Sequence, residues 1–153
     1  MSRFEDAMQN LAAAMTRHDP DAVAKVFATD AVAYDPMFPQ PIRGRDAIRE
    51  ETAGLLRAFP DLRFEIVNAI AKDDHLGALE ARLTGTNSGP MVTPTGQEIP
   101  PTNKRIDLKG ASISRLNQQG EITEERRYYD VGTMLRQLGL VPEQAEEPAG
   151  AKR

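Results

Sequence analysis

The residue with most to offer chemically is Asp130, which closes an alternating segment, Ile122 to Asp130, near the end of the chain. Side chains of a strand point to opposite faces in turn, so a strict period of two puts Arg126 and Tyr128 on the face of Asp130 and Arg127 and Tyr129 on the other. A carboxyl group set among apolar walls has its pKa raised, because burial disfavours the charged form. It could then take a proton alpha to a carbonyl and return one to oxygen. A second reading stands beside this one. Asp130 directly precedes Val131 and a short helical pattern, where an Asp would act as the N-cap. The two roles are compatible.

Tyr34 and Asp35 come next, where a short apolar run enters a loop broken by Pro36, Pro39 and Pro41. A tyrosine hydroxyl beside a developing enolate would stabilise it by hydrogen bonding. The plainer alternative is a core tyrosine followed by a turn-forming aspartate. Met37 and Phe38 suit packing, and apolar pocket walls are built of such residues. Glu80 and Arg82 alternate with Leu79, Ala81 and Leu83, a pattern that sends the charged pair to an outer sheet face. Glu124, Glu125, Arg126 and Arg127 read most simply as cross-strand charges on a wet face, and parity with Asp130 singles out Arg126. His18 and His75 lie at a helix end and in a turn, with no His-x-x-x-His spacing and no convergence that would hold a metal. The absence of cysteine excludes disulfides and thiolate chemistry.

The elements that must carry these residues follow from periodicity. Phe4, Met8, Leu11 and Met15 make one apolar stripe of a helix that ends near His18-Asp19-Pro20. A second helix fits Asp21 to Phe27 with Asp19 as N-cap, and Ala31 to Tyr34 forms a short strand. A third helix runs from about Arg45 to Leu56, with Ala47, Ile48, Leu55 and Phe59 as candidate buried positions. The period then changes to two. Strands are predicted from Leu62 through Val67, over Leu76 to Thr86, over Arg105 to Leu116 and over Ile122 to Asp130. A Gly/Pro/Thr-rich connection spans Gly85 to Asn103, and the turn Asn117-Gln118-Gln119-Gly120 joins the last two strands. Val131 to Leu138 closes as a helix with Gly139 after it. Residues 1–141 are read as one domain, and 142–153 as a polar, disordered tail. The fold class is α+β: a curved antiparallel sheet covered by three N-terminal helices and enclosing a pocket for a small organic molecule.

Composition narrows the function. The 153 residues carry a net charge of −4 with no dominant basic cluster, against a nucleic-acid partner. No apolar run approaches the roughly 20 residues of a membrane span, and no apolar export segment opens the chain, so no membrane partner and a cytoplasmic location are expected.

A set of short motifs occurs in order. They are Ile42-Arg43-Gly44-Arg45, Phe59-Pro60-Asp61-Leu62, Leu83-Thr84-Gly85-Thr86, Pro100-Pro101-Thr102, Gly120-Glu121-Ile122, Tyr128-Tyr129-Asp130 and Gln137-Leu138-Gly139-Leu140. From about residue 5 to residue 141 this set resembles the SnoaL-like polyketide cyclase (ester cyclase) family, within the cone-shaped nuclear-transport-factor-2-like superfamily. The resemblance implies a cavity inside the cone, a homodimer or higher homo-oligomer formed through the outer sheet face, and no metal or organic cofactor. It implies aldol ring closure of a polyketide-type ester, with Asp130 as the matching general acid/base. Two departures stand out. The family's Gly-Thr-His stretch reads Gly85-Thr86-Asn87 here, and the strand Arg105 to Leu116 lacks a histidine. The expected site is therefore Asp130 as catalyst, with Tyr34, Asp35, Phe38, Asn87, Tyr128 and Arg126 around a hydrophobic ligand. Alternatives of a different class are a non-catalytic small-molecule-binding domain and epoxide-hydrolase or isomerase chemistry, for which Asp35 with Arg45 is the one candidate pair.

Overall fold

A computed structural model describes residues 2–141, so the predicted tail over 142–153 lies outside the described residues. The chain opens with helix α1 (Arg3–Thr16). The Ser2 hydroxyl accepts the Glu5 N–H and the Glu5 carboxylate accepts the Ser2 N–H, each at 3.1 Å, a capping box that fixes the first turn. Phe4, Ala7, Met8, Leu11, Ala14 and Met15 are all buried, so the apolar stripe faces the core as predicted. Each large side chain so buried contributes roughly 1.5–3 kcal/mol. Helix α2 (Pro20–Lys25) begins with Asp19 accepting the Ala22 N–H at 3.1 Å. It stops two residues short of Phe27, because Phe27 already belongs to strand β1 (Phe27–Tyr34), which is longer than the predicted Ala31–Tyr34.

Strand β2 (Ile42–Arg43), absent from the prediction, leads into helix α3 (Arg45–Ala58). That helix buries Ile48, Thr52 and Leu56, while Ala47 is exposed. The remaining long strands are β3 (Arg63–Ala71), β4 (Leu76–Thr86), β7 (Arg105–Leu116) and β8 (Ile122–Tyr128). Between β4 and β7 a small hairpin, β5 (Met91–Val92) and β6 (Glu98–Ile99), forms its own two-stranded sheet. Helix α4 (Val131–Gln137) follows β8.

The six-stranded sheet has the order β2-β1-β8-β7-β4-β3. All its pairings are antiparallel except β1 with β8, a long-range parallel closure. Helices α1 and α3 pack over the concave face. The approach is close enough that a Cβ on Gly77 would meet the Phe4 ring at 2.5 Å, so glycine lets α1 sit down on β4. The predicted α+β cone is the observed fold. Among the described residues no helix is long and apolar enough to cross a membrane.

One irregularity decides what faces inward. Arg115 pairs with Glu124 but Leu116 pairs with Ile122, so Thr123 is an extra residue on β8. A bulge of one residue exchanges the two faces of a strand beyond it. Buried Ile122 is therefore followed on the inner face by Glu125 and Arg127, not by Glu124 and Arg126.

Candidate functional site

A cavity of about 210 Å³ lies between the helices and the concave side of the sheet. Leu11, Met15, Phe27, Phe59, Leu79 and Ile106 give it apolar walls. At one end Asp35, Glu51, Glu125, Arg127 and Tyr129 bring polar groups together.

Each of these is placed by its element. Asp35 follows β1, where its Oδ1 accepts the Met37 N–H at 2.9 Å and its carbonyl accepts the Phe38 N–H at 3.0 Å, so the proline-broken loop turns back on the carboxylate. Glu51 sits on the buried side of α3, three residues after Ile48 and four before Leu55. Glu125 and Arg127 are turned inward by the Thr123 bulge. Tyr129 lies just beyond β8, and Gly110 opposite leaves it room: a Cβ there would stand 3.2 Å from the Tyr129 Cβ.

The Arg127 guanidinium is the hub. Its Nη1 donates to Asp35 Oδ2 at 3.0 Å and reaches Glu51 Oε1 at 2.9 Å, and its Nε donates to Glu125 Oε1 at 2.6 Å. The Tyr129 hydroxyl donates to Asp35 Oδ1 at 2.7 Å. These side chains are withdrawn from solvent: 6% exposed for Asp35, 7% for Glu125, 17% for Glu51 and 19% for Arg127. Three carboxylates thus converge on one cation at low dielectric. Burial pushes the Glu51 carboxyl up from its usual range, and the charges of Asp35 and Glu125 add to this against the pull of Arg127. Burial also raises the Tyr129 phenol, reinforced by its bond to Asp35 and that group's charge. Burial opposes the charge of Arg127, but Glu51 and Glu125 outweigh it and keep the guanidinium protonated. The arrangement offers a carboxyl with a poised proton, a fixed positive charge and an apolar bed for substrate.

The expected site is only partly here. Asp35 lines the cavity, and Tyr128 stands at its rim, more than half exposed. Asp130 does not face the hollow. It is the N-cap residue of α4, its side chain is 69% exposed, its Oδ2 accepts the Thr133 hydroxyl at 2.7 Å, and Arg136 lies 3.9 Å away. That hydroxyl bond chiefly lowers its pKa, the opposite of the expected rise. Alternation from Asp130 back to Arg126 is intact, but the inserted Thr123 turns the other face of β8, that of Glu125 and Arg127, toward the core. Arg126 for the same reason points outward, with its guanidinium 4.4 Å above the Tyr34 ring and its Nε 2.6 Å from Glu124. Tyr34 is thereby held away from the cavity and is no enolate donor.

Phe38 packs against the core without lining the cavity. Asn87 is wholly buried and structural: its amide donates to the carbonyls of Ala58 (3.1 Å) and Gly89 (2.8 Å), and its Oδ1 accepts the Thr102 N–H and hydroxyl, both at 2.9 Å. With every donor and acceptor used, it has nothing left for a ligand. Arg45 does not meet Asp35 but binds the Phe27 carbonyl and Glu121. Glu80 and Arg82 lie on the outer face, with Asn68 and Asp107 as partners. His75 is exposed and His18 half-buried against the Leu62 carbonyl.

Sequence reasoning missed Glu51, Glu125, Arg127 and Tyr129. One of them left a signal: Glu51 is a charged residue on the apolar stripe of its helix, which ordinary amphipathicity does not produce.

Comparison with known proteins agrees with this architecture. A family model for the SnoaL-like polyketide cyclase matches residues 5–138. No curated protein matches significantly. Among solved structures, wild-type IdmH of Streptomyces antibioticus, described as a candidate polyketide cyclase, is 26% identical, with 88% of this chain and 97% of that one covered and a TM-score of 0.68. A candidate SnoaL-like polyketide cyclase of Jannaschia sp. CCS1 is 18% identical, with 92% and 94% covered and a TM-score of 0.75. RV0760c of Mycobacterium tuberculosis, solved with estradiol-17β-hemisuccinate, is 18% identical, with 87% and 98% covered and a TM-score of 0.66. With nearly the whole domain covered by the family model, this chain belongs to the SnoaL-like polyketide cyclase family.

Proposed function

We propose that the chain is a cofactor-free acid/base enzyme acting on a hydrophobic carbonyl compound, with Glu51 as the group that moves the proton. The observation that carries this is the Glu51 carboxyl in the cavity wall, its pKa raised by burial and one oxygen held by Arg127. In its ionised form Glu51 takes the proton alpha to a carbonyl. The enolate adds to a second carbonyl carbon of the same molecule, and the neutral Glu51 returns its proton to the alkoxide so formed. Protons balance, and the net reaction is an intramolecular aldol closure. Arg127 supplies positive charge beside the developing enolate, and Asp35, fixed by Tyr129 and the Met37 N–H, keeps the guanidinium in place. A proton transfer of this kind is worth about 10²–10⁴-fold in rate.

The test needs no knowledge of the natural substrate. Exchange of the alpha hydrogens of 2-tetralone for deuterium in D₂O, followed by proton NMR, reads the first step alone. The wild-type chain is expected to accelerate exchange, and Glu51→Gln to lose about 100-fold or more of that acceleration, while Asp130→Asn keeps it. Equal exchange in wild type and Glu51→Gln would refute the role of Glu51.

One feature favours a second reading. Two carboxyl groups, Asp35 and Glu51, share a single guanidinium nitrogen. One could activate water while the other protonates an epoxide oxygen, so hydrolysis of cyclohexene oxide without ketone exchange would select that chemistry. Tight ligand binding with neither reaction would select a non-catalytic binding domain.

The family resemblance and the outer sheet face support a homo-oligomer. Cross-strand register puts Ile70, Ala78 and Ile113 in one row, with exposed Ile70 and Ile113 presenting apolar surface.

A further inference from the structure

The titratable side chains that line the cavity are unequal in charge. Asp35, Glu51 and Glu125 oppose Arg127 alone, and Tyr128 and Tyr129 are neutral. Arg127 Nη1 is shared by two carboxylates and its Nε is taken by the third. Glu125, with a side chain 93% buried, has its second oxygen without a hydrogen-bond partner among the described residues. The second oxygen of Glu51 is likewise unpartnered, and neither belongs to the solvent-sealed orphans, of which Ser114 Oγ is the one case. Both oxygens therefore keep accessible surface, and both residues line the cavity. Even with a proton on Glu51, two anionic carboxylates face one cation. Such a site repels a ligand carboxylate and welcomes a donor of positive charge.

We infer that the cavity takes an apolar frame ending in a protonated amine, which donates to the free oxygen of Glu125 at the polar end. This rests on reading the hollow as the ligand site, and it narrows the substrate class to amine-bearing carbonyl compounds. A second ammonium in place of Arg127 is unnecessary: the ligand completes the charge pairing that the chain leaves one cation short. The apolar walls take the hydrocarbon, and the small volume limits the frame to one or two rings.

Three isosteric probes test this: 2-(1-naphthyl)ethylamine, 2-(1-naphthyl)ethanol and 1-naphthylacetate. The chain has no tryptophan, so naphthalene fluorescence reports binding without overlap, and calorimetry confirms it. The amine is expected to bind about tenfold or more tighter than the alcohol, as one charge-assisted bond warrants, and the carboxylate weaker than both. An alkyl ammonium keeps its charge well above pH 8, as lysine does at about 10.4. The amine's advantage therefore grows as pH rises through the raised pKa of Glu51, with Asp35, Glu125, Arg127 and Tyr129 the other groups facing it. Glu125→Gln, which keeps an acceptor for Arg127 Nε, is expected to erase the amine's advantage over the alcohol. Should that variant fail to fold, Glu51→Gln is expected to remove the pH dependence in its place. Glu80→Gln on the outer face controls for general charge. Alcohol bound as tightly as amine would overturn the inference and leave the cavity reading standing. No binding by any of the three would overturn both.

Discussion

Arg127 is the residue on which the polar end of the cavity rests, and replacing it by methionine makes a quantitative test. Methionine keeps an unbranched apolar stem and removes the cation. The wild-type side chain is 19% exposed and bonded to three carboxylates at 2.6–3.0 Å. Breaking a buried ion pair costs about 3–5 kcal/mol, because the orphaned partner stays desolvated. The three pairs share one guanidinium and do not add, so that single figure applies to the cluster. At about 2–4 °C per kcal/mol for a domain of this size, Tm should fall by roughly 6–20 °C at pH 8. The sign with pH follows from Glu51, whose carboxyl burial already pushes up. Without the cation its folded-state pKa rises further above the unfolded one, so folding takes up a proton and the penalty shrinks as pH falls. Arg82→Met is the control. Arg82 also pairs with a carboxylate, that of Asp107, but is 42% exposed, and such pairs contribute about 0–1 kcal/mol. Thermal and urea denaturation of both variants by circular dichroism at pH 5 and pH 8 gives the comparison. Equal and pH-independent shifts in the two variants would show that Arg127 is no more buried an ion pair than Arg82.

Three further outcomes are expected. Asp130→Asn should leave ketone exchange intact and shift stability by less than about 1 kcal/mol, since the side chain is exposed, makes no cap bond to the helix backbone, and an asparagine amide oxygen can still accept the Thr133 hydroxyl; loss of exchange in that variant would return the catalytic role to Asp130. Asn87→Ala should cost roughly 2–4 kcal/mol in urea titration, because it empties a wholly buried site and removes the partners of the Gly89 carbonyl and the Thr102 N–H at once. Ile113→Glu on the outer sheet face should convert the proposed homo-oligomer to monomer in analytical ultracentrifugation, and an unchanged mass would locate any interface elsewhere.

Much of the fold was legible because two periods carry it. Leu76–Thr86 and Arg105–Leu116 match the observed strands end for end, since alternation over Leu79–Thr84 and Arg105–Lys109 and the turn residues at their ends mark them. The apolar stripe from Phe4 to Met15 fixed α1 in the same way. What was hidden is long-range. Strand β1 begins at Phe27 because it pairs in parallel with β8, almost a hundred positions away, and no local pattern announces that pairing. The site residues were harder to place. Counting back from Asp130 grouped Arg126 and Tyr128 with it, but which face of β8 turns inward is set by the inserted Thr123, and the cavity is lined by Glu125, Arg127 and Tyr129 with Tyr128 at its rim. Asp35, marked in the sequence by its place where a strand meets a proline-broken loop, lines the cavity. Glu51 was visible in principle as a charge on a buried stripe. The family resemblance drew attention to Asp130 at the end of the last long strand, whose side chain is 69% exposed, whereas Glu51 lines the cavity.

The central claim is that Glu51 holds an exchangeable proton inside the cavity. Carbon-detected NMR titration of the glutamate side-chain carboxyls, with Glu51→Gln as the assignment, measures it directly. One glutamate resonance should titrate above the ordinary glutamate range and vanish in that variant. The variant should also lose the stability penalty that wild type acquires as pH rises through that pKa, with the two proteins alike below the unfolded value of about 4.3. If every glutamate titrates in the ordinary range and Glu51→Gln changes none of them but its own, Glu51 is a solvated carboxylate and the mechanism built on it is wrong.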